Sequence, residues 1–267
     1  MAVDRSPTFS VIMPTYNNGE LFKSSLESAL CQNFGDYEVI VIDDGSTDGT
    51  KRVVESFKDS RLRYYFQDNS GLPAIARNNG IKYSKGRYVA FLDGDDIWYP
   101  EKLKKCYEIF EQHPEVCLVC HNELIRDKSG DKGYSSYGPY TSEMFRRLLY
   151  KGNCLSPSAT VVKRNALFDV GLFNERRDFF AVEDYDLWLR LSQKYNFYFL
   201  NEMLGEYTLH SKNISSDIWN QRNSEIRVVK QNFKEYRKKS FFDFLQIIIR
   251  LVKIYINMAK LLFKNIL

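Results

Sequence analysis

Through its first hundred residues the chain alternates short runs rich in apolar β-formers with amphipathic stretches of helical period. TFSVIMPTY (8–16), YEVIVID (37–43), RLRYYFQ (61–67) and GRYVAFLDGDD (86–96) are runs of the first kind. They predict strands, and the lack of alternation in YEVIVID predicts burial on both faces. Between them, GELFKSSLESALCQ (19–32) sets Leu21, Phe22, Leu26, Ala29 and Leu30 at helical spacing. TDGTKRVVESFKD (47–59) and LPAIARNNGIKYS (72–84) read as further helices, with Ser46, Thr47 or Asp48 able to cap the first of them. Strands alternating with helices predict a parallel, doubly wound α/β sheet.

Beyond residue 100 the pattern is less regular. PEKLKKCYEIFEQH (100–113) predicts a helix with its proline in the first turn, and VCLVCHNELIRD (116–127) a strand. KSGDKGYSSYGPY (128–140) reads as a polar loop, TSEMFRRLLYKG (141–152) as a capped helix and SATVVKR (158–164) as a strand. VEDYDLWLRLSQKY (182–195) is a strongly amphipathic helix that opens on three acids in four residues. Residues 197–216 predict short strands and a loop carrying His210.

The last stretch, FFDFLQIIIRLVKIYINMAKLLFKNIL (241–267), is apolar except for Asp243, Gln246, Arg250, Lys253, Asn257, Lys260, Lys264 and Asn265. The first seven recur at steps of three and four, which draws one narrow polar stripe on a helix. The uninterrupted apolar runs fall short of the roughly 20 residues that span a bilayer, so a helix lying in a membrane interface is the expectation. Charge sharpens this picture. Residues 212–267 carry 12 Lys/Arg against 4 Asp/Glu, while residues 1–211 carry 26 against 30. An acidic body with a basic tail, RVVKQNFKEYRKKS (227–240) included, points to an anionic membrane surface. The apolar content of the tail argues against nucleic acid.

MAVDRSPTFS has no basic start followed by an apolar stretch, so no secretory signal is expected. Five scattered cysteines suggest a reducing compartment with free thiols. Cys117 and Cys120 form a C-x-x-C, but no second ligand pair stands at zinc spacing. Trp98 and Trp188 are expected to pack in the core.

Two of the predicted strands end in acids: Asp43 and Asp44 after one, Asp93, Asp95 and Asp96 after the other. In a parallel sheet those ends share an edge, and strand C-termini form the ligand crevice of open α/β sheets. Carboxylates so close repel one another, and a divalent cation is the natural neutraliser. Glu183 and Asp184 are either a catalytic pair or acids favoured by a helix N-terminus.

Taken in order, VIMPTYN, VIDDGSTDGT, ARNNGI, YVAFLDGDDIWYPEKL, VEDYDLWLRL and YTLHSKNIS resemble an inverting glycosyltransferase of family 2, over about residues 8 to 215. The resemblance implies a GT-A fold: a Rossmann-like, mostly parallel central sheet flanked by helices, here with a C-terminal helical, basic amphipathic extension. Residues 1–215 would form the glycosyltransferase domain, with 8–100 as nucleotide-binding half and 101–215 as acceptor half. Residues 216–267 would form a membrane-associating tail. It further implies that Pro14, Thr15, Tyr16 and Asn17 wrap the nucleoside, that Asp44 meets the base, usually uracil, and that Arg77 and Asn78 lie beside the nucleotide. Asp93 and Asp95 match the D-x-D motif for ribose and a divalent metal, Mn²⁺ or Mg²⁺, with Asp95 the favoured ligand. His210 would close over the diphosphate at that metal. Asp184 would be the general base, with Glu183 orienting it or touching the acceptor.

The implied activity is transfer from a nucleotide-sugar, a UDP-sugar by this pattern, to a glycan or lipid-linked acceptor in cell-surface polysaccharide synthesis. The implied location is cytoplasmic, peripheral on the inner face of the cell membrane. A polyprenyl-phosphate acceptor is the alternative. A sugar nucleotidyltransferase ranks lower, because MPTYNNGE lacks the glycines and lysine of a phosphate loop. A non-catalytic sugar binder is disfavoured by intact acids at every matched motif. Sugar, linkage and oligomeric state are left open.

Overall fold

The computed structural model describes residues 6–210, 218–237 and 239–264. The expected domain boundary at 215/216, the end of the His210 loop, Lys238, Asn265 and the side chain of Lys264 lie outside the described residues.

Seven elements build the first half: β1 (Phe9–Thr15), α1 (Gly19–Leu30), β2 (Tyr37–Asp43), α2 (Thr50–Ser56), β3 (Leu62–Phe66), α3 (Pro73–Tyr83) and β4 (Tyr88–Phe91). Their strands pair in parallel in the order β3-β2-β1-β4. The second half adds β5 (Ile97–Trp98), α4 (Lys102–Gln112), β6 (Val116–Asp127), β7 (Gly130–Ser135), α5 (Met144–Lys151), β8 (Thr160–Lys163), α6 (Arg164–Asp169), α7 (Glu183–Ser192) and β9 (Asn196–Thr208). It extends the same sheet as β4-β8-β6-β9-β5, with β8 antiparallel to both neighbours and β9 parallel to β6.

Both faces of β1, β2 and β4 are covered, which is why their sequences do not alternate, while β3 at the sheet edge is half-buried. On β1, Phe9, Val11 and Met13 join one core with Phe22, Leu26 and Phe110. Ile12 joins a second with Ala76, Ile81 and Trp188. Helix α3 approaches this face so closely that a Cβ on Gly80 would lie 2.4 Å from Ile12 Cγ2. Only glycine fits there. Trp98 and Trp188 are buried, and Cys117 and Cys120 are core thiols.

Two expectations change, and one short strand is new. The 128–140 loop contains β7, an exposed edge strand paired antiparallel with β6; Asp127 accepts from the Ser129 amide and Gly130 takes φ +114 to make the turn. Polarity hid it, because β7 buries neither face. Ile97–Trp98, which the pattern assigns to no element, pairs with β9 as β5. Residues 196–208 form one long strand instead of several short ones, with register shifts against β6 absorbing its irregular pattern.

The tail is helical: α8 (Ile218–Glu235) and α9 (Phe241–Lys264). The expected polar stripe of α9 does not simply face water. Asp243 is fully buried, accepts from Tyr150 Oη and the Ser240 amide, and pairs with Arg146 at 3.0 Å. Burial opposes its charge, but the bonds from Tyr150 and Ser240, with Arg146, carry its carboxyl down to about 2. Its stabilisation is therefore full above about pH 4, the ordinary aspartate value, and lost as the pH falls through about 2. Asp243→Ala should cost about 3 kcal/mol, because it leaves Arg146 without its buried partner. Urea unfolding would read the loss and limited proteolysis the release of α9; an unchanged midpoint would mean the clasp contributes nothing.

Candidate active site

Thr15 lies opposite Asp43, and Ile12 opposite Phe91, so β1, β2 and β4 end along one edge. The segments leaving them converge on a cavity of about 820 Å³ lined by Pro14, Thr15, Tyr16, Asn17, Asp44, Asp93 and Asp95. Its other wall comes from Glu183 and Asp184 at the start of α7, with Tyr137, Leu155 and His210. A volume of this size suits a ligand larger than a monosaccharide.

The DDGSTDG turn separates its two adjacent aspartates. Asp43 points inward, fully buried, accepting from the Ser46 amide and Tyr64 Oη, each at 2.8 Å. It is a turn-former and does not line the cavity. Asp44 does. It accepts from Gln67 Nε2 at 2.6 Å and from the Ser70 amide and Oγ at 3.0 Å, which fixes its carboxylate and leaves acceptor capacity for a ligand. Gly45 follows at φ +83, pressed on Asn69. The N-cap position of α2 falls on Gly49, which has no side chain to cap with; Asp48 just before it accepts from the Thr50 amide and also ties the Gly19 amide at the start of α1. Asn17 holds φ +48, and its side chain accepts from the Thr47 amide. The first two loops are thus stitched into one wall.

Asp93, Asp95 and Asp96 take three different environments. Asp93 pairs with Arg77 at 2.6 Å. Asp95 lies 2.7 Å from His210 Nε2; burial and the nearby Asp93 raise its carboxyl, and His210 offsets part of that. Asp96 is buried, accepting from Ser158 Oγ at 2.6 Å and the Thr208 amide at 3.0 Å, and burial drives it well above the usual range. Below it Lys102 donates to the Ser158 carbonyl, and burial pulls its ammonium down to about 7. All three border the cavity, but Asp96, bonded to Ser158 and Thr208 and nearly inaccessible, anchors the loop, while Asp93 and Asp95 are the more accessible carboxylates.

Arg77 is the hinge of the site. Wholly buried on α3, it reaches Asp93 with one guanidinium nitrogen and Glu183 Oε1, at 2.7 Å, with the other. Burial opposes its charge, and the two carboxylates outweigh that. Asp184 receives no such bond. It is half-buried, accepts from Asn153 Nδ2 at 3.0 Å, and burial with the adjacent Glu183 pushes it up to about 7. The two acids are thus set apart: one locked in an ion pair, one poised to exchange a proton. Asn78, expected beside the nucleotide, turns away; it donates to the Phe173 carbonyl and Glu175 and is absent from the cavity lining.

The chain's relationships match this geometry. A family profile for glycosyl transferase family 2 covers residues 10–171. The chain belongs to glycosyl transferase family 2. It is 32% identical over 210 residues, 78% of this chain and 79% of its relative, to the *Escherichia coli* UDP-Glc:alpha-D-GlcNAc-diphosphoundecaprenol beta-1,3-glucosyltransferase WfgD. Residues 1–349 of *S. aureus* TarS in complex with UDP-GlcNAc share its fold, with a TM-score of 0.75 and 23% identity over 90% of this chain and 70% of that one. The *Pyrobaculum calidifontis* mannosyltransferase PcManGT in complex with GDP-Man and Mn²⁺ gives a TM-score of 0.67 and 18% identity over 94% and 70%.

This family 2 glycosyltransferase has the GT-A architecture its motifs implied. The motifs did not disclose the supporting residues. Gln67 and Ser70 grip Asp44, Ser158 spans Asp93 and Asp96, and Asn153 meets Asp184. In the structure all lie on connecting segments, Gln67 and Ser158 just outside β3 and β8, and only the fold brings them to the site. Among the described residues, no group of three or more His, Cys, Asp or Glu side chains is arranged to hold a metal ion.

Proposed function

We propose that this glycosyltransferase moves a sugar, with inversion, from a UDP-sugar to a glycan or lipid-linked acceptor in cell-surface polysaccharide synthesis at the inner face of the cell membrane. The observation that carries the reading is one cavity with strand-end acids on one wall, the α7 acids on the other and Arg77 bonded to both. Residues 8–100 would supply the nucleotide side and 101–215 most of the acceptor side.

Pro14–Asn17 and Asp44 are the nucleoside grip. The fixed Asp44 carboxylate is an acceptor suited to the N3–H of uracil. WfgD and the TarS complex, each named with a UDP-sugar, support that choice. Asp95 and His210, with Asp93 beside them, fit a divalent cation that draws its remaining ligands from a diphosphate and water, since Mg²⁺ characteristically uses one or two carboxylates plus substrate phosphates. When bound, such an ion stabilises charge on the departing diphosphate. Mn²⁺ in the PcManGT complex supports the same choice.

Asp184 takes the proton from the acceptor hydroxyl. The acceptor oxygen attacks the anomeric carbon as the bond to the diphosphate oxygen breaks, with its electron pair leaving on the UDP. One displacement gives inversion. Glu183, tied to Arg77, keeps the pair from sharing one role.

Calorimetry of the full chain with UDP, GDP and ADP, with and without Mn²⁺, tests this. UDP should bind in an Mn²⁺-dependent way, at least about tenfold more weakly in Asp95→Ala, whose lost carboxylate is a single proposed ligand. A folded chain that binds no nucleoside diphosphate with Mn²⁺ present would overturn the reading.

A further inference from the structure

The outer face of α9 takes no part in sugar transfer. The helix meets the body along one strip, where Asp243, Ile247, Ile254 and Met258 are buried. Arg250 in the same strip pairs with Glu225 of α8. At 100° per residue the opposite face carries Leu245, Ile248, Ile249, Val252, Tyr255 and Ile256, all exposed, Ile248 at 58%. Phe241 at the head of the helix is 87% exposed. A continuous apolar face of this extent marks an interaction site. Its orientation follows from Asp243 and Arg250: their bonds to the body turn the charged end of the stripe inward and the hydrophobes outward.

Charge selects the occupant. Lys253 and Lys260 are exposed on one flank of α9, between the buried strip and the apolar face. Residues 212–267 carry a net charge of +8. A second copy would bring the same cations and complement none of them, whereas anionic headgroups complement all of them. No helix among the described residues is long and apolar enough to cross a membrane. We infer that α9 docks the protein flat on an anionic lipid leaflet, its hydrophobes entering the acyl boundary and Lys253 and Lys260 at headgroup level. None of these side chains lines the cavity, so docking and catalysis are separable by measurement.

The test is co-sedimentation of the full chain with vesicles of phosphatidylcholine alone or mixed with phosphatidylglycerol. The wild type should pellet with the mixed vesicles and bind at least about tenfold more weakly to phosphatidylcholine alone or in high salt. Ile248→Asp with Val252→Asp should lower binding to the mixed vesicles by at least about tenfold. Both side chains are exposed, so thermal unfolding and UDP binding should be unchanged. Lys253→Gln with Lys260→Gln should weaken only the phosphatidylglycerol-dependent part. A wild type that stays in the supernatant, or an Asp pair that binds as well as wild type, would overturn the proposal. So would a dimer that the Asp pair splits with no vesicle binding, which would give the face to a second copy. UDP binding that persists in any of these outcomes leaves the transferase reading standing.

Discussion

Asp184→Asn is expected to lower the transfer rate about a thousandfold while leaving UDP binding and the melting temperature near those of the wild type. A positioned general base contributes between about 10² and 10⁴ in rate, and the amide cannot accept the acceptor's proton. It can still accept from Asn153, so the local structure survives. The pH profile carries the sharper evidence. Burial and Glu183 push Asp184 up to about 7, and the working form is the deprotonated one. Turnover should therefore fall about tenfold per pH unit below that value. Glu183→Gln removes the neighbouring negative charge, so the falling limb should move to lower pH. A wild-type profile flat from pH 5 to 8, or an Asp184→Asn enzyme with wild-type turnover, would remove Asp184 from the reaction.

Arg77→Met is expected to cost about 3–5 kcal/mol of stability and to abolish measurable transfer. Truncating one partner of a buried ion pair strands the other charges, and here two carboxylates lose their shared partner at once. Methionine keeps most of the volume, so the loss reports charge rather than packing. Arg77→Lys is the informative companion. A single ammonium lacks the planar fork that spans Asp93 and Glu183, so the lysine variant should regain part of the stability and little of the activity. Urea unfolding alongside turnover separates the two effects. A methionine variant as stable and active as wild type would show that the bridge is incidental.

The parallel half of the molecule was legible because its signals are local. Continuous apolar runs mark strands buried on both faces, and the carboxylates just after β2 and β4 mark the crevice edge. What the pattern could not tell was how neighbours with the same charge divide their duties. Asp43 and Asp44 are adjacent and chemically equal in the sequence, yet one closes a turn with Ser46 and Tyr64 and the other faces the cavity. Asp95 and Asp96 both border the cavity, yet Asp95 meets His210 while Asp96 is buried against Ser158 and the Thr208 amide. That division depends on backbone direction at single residues and on partners that, Ser46 apart, stand 21 to 115 positions away. Asn78 shows the converse: its place beside Arg77 on α3 suggested the nucleotide, but at about 100° per residue its side chain leaves the helix in another direction and ties α3 to the 173–175 loop. The strand at 130–135 was illegible for a third reason, since an edge strand with neither face buried carries no hydrophobic period.

The clasp between α9 and the body makes the tail a poor candidate for a portable module. Asp243 is held by Tyr150 and Arg146, and Arg250 by Glu225, so the helix's seat is written into α5 and α8. Asn232 of α8 in turn donates to Asp186, three residues beyond Glu183 on α7. An enzyme shortened before residue 241 to ease purification would bare Tyr150, Arg146 and Glu225 and loosen the support behind the acids. Grafting α9 onto another scaffold would carry the hydrophobes without the contacts that aim them.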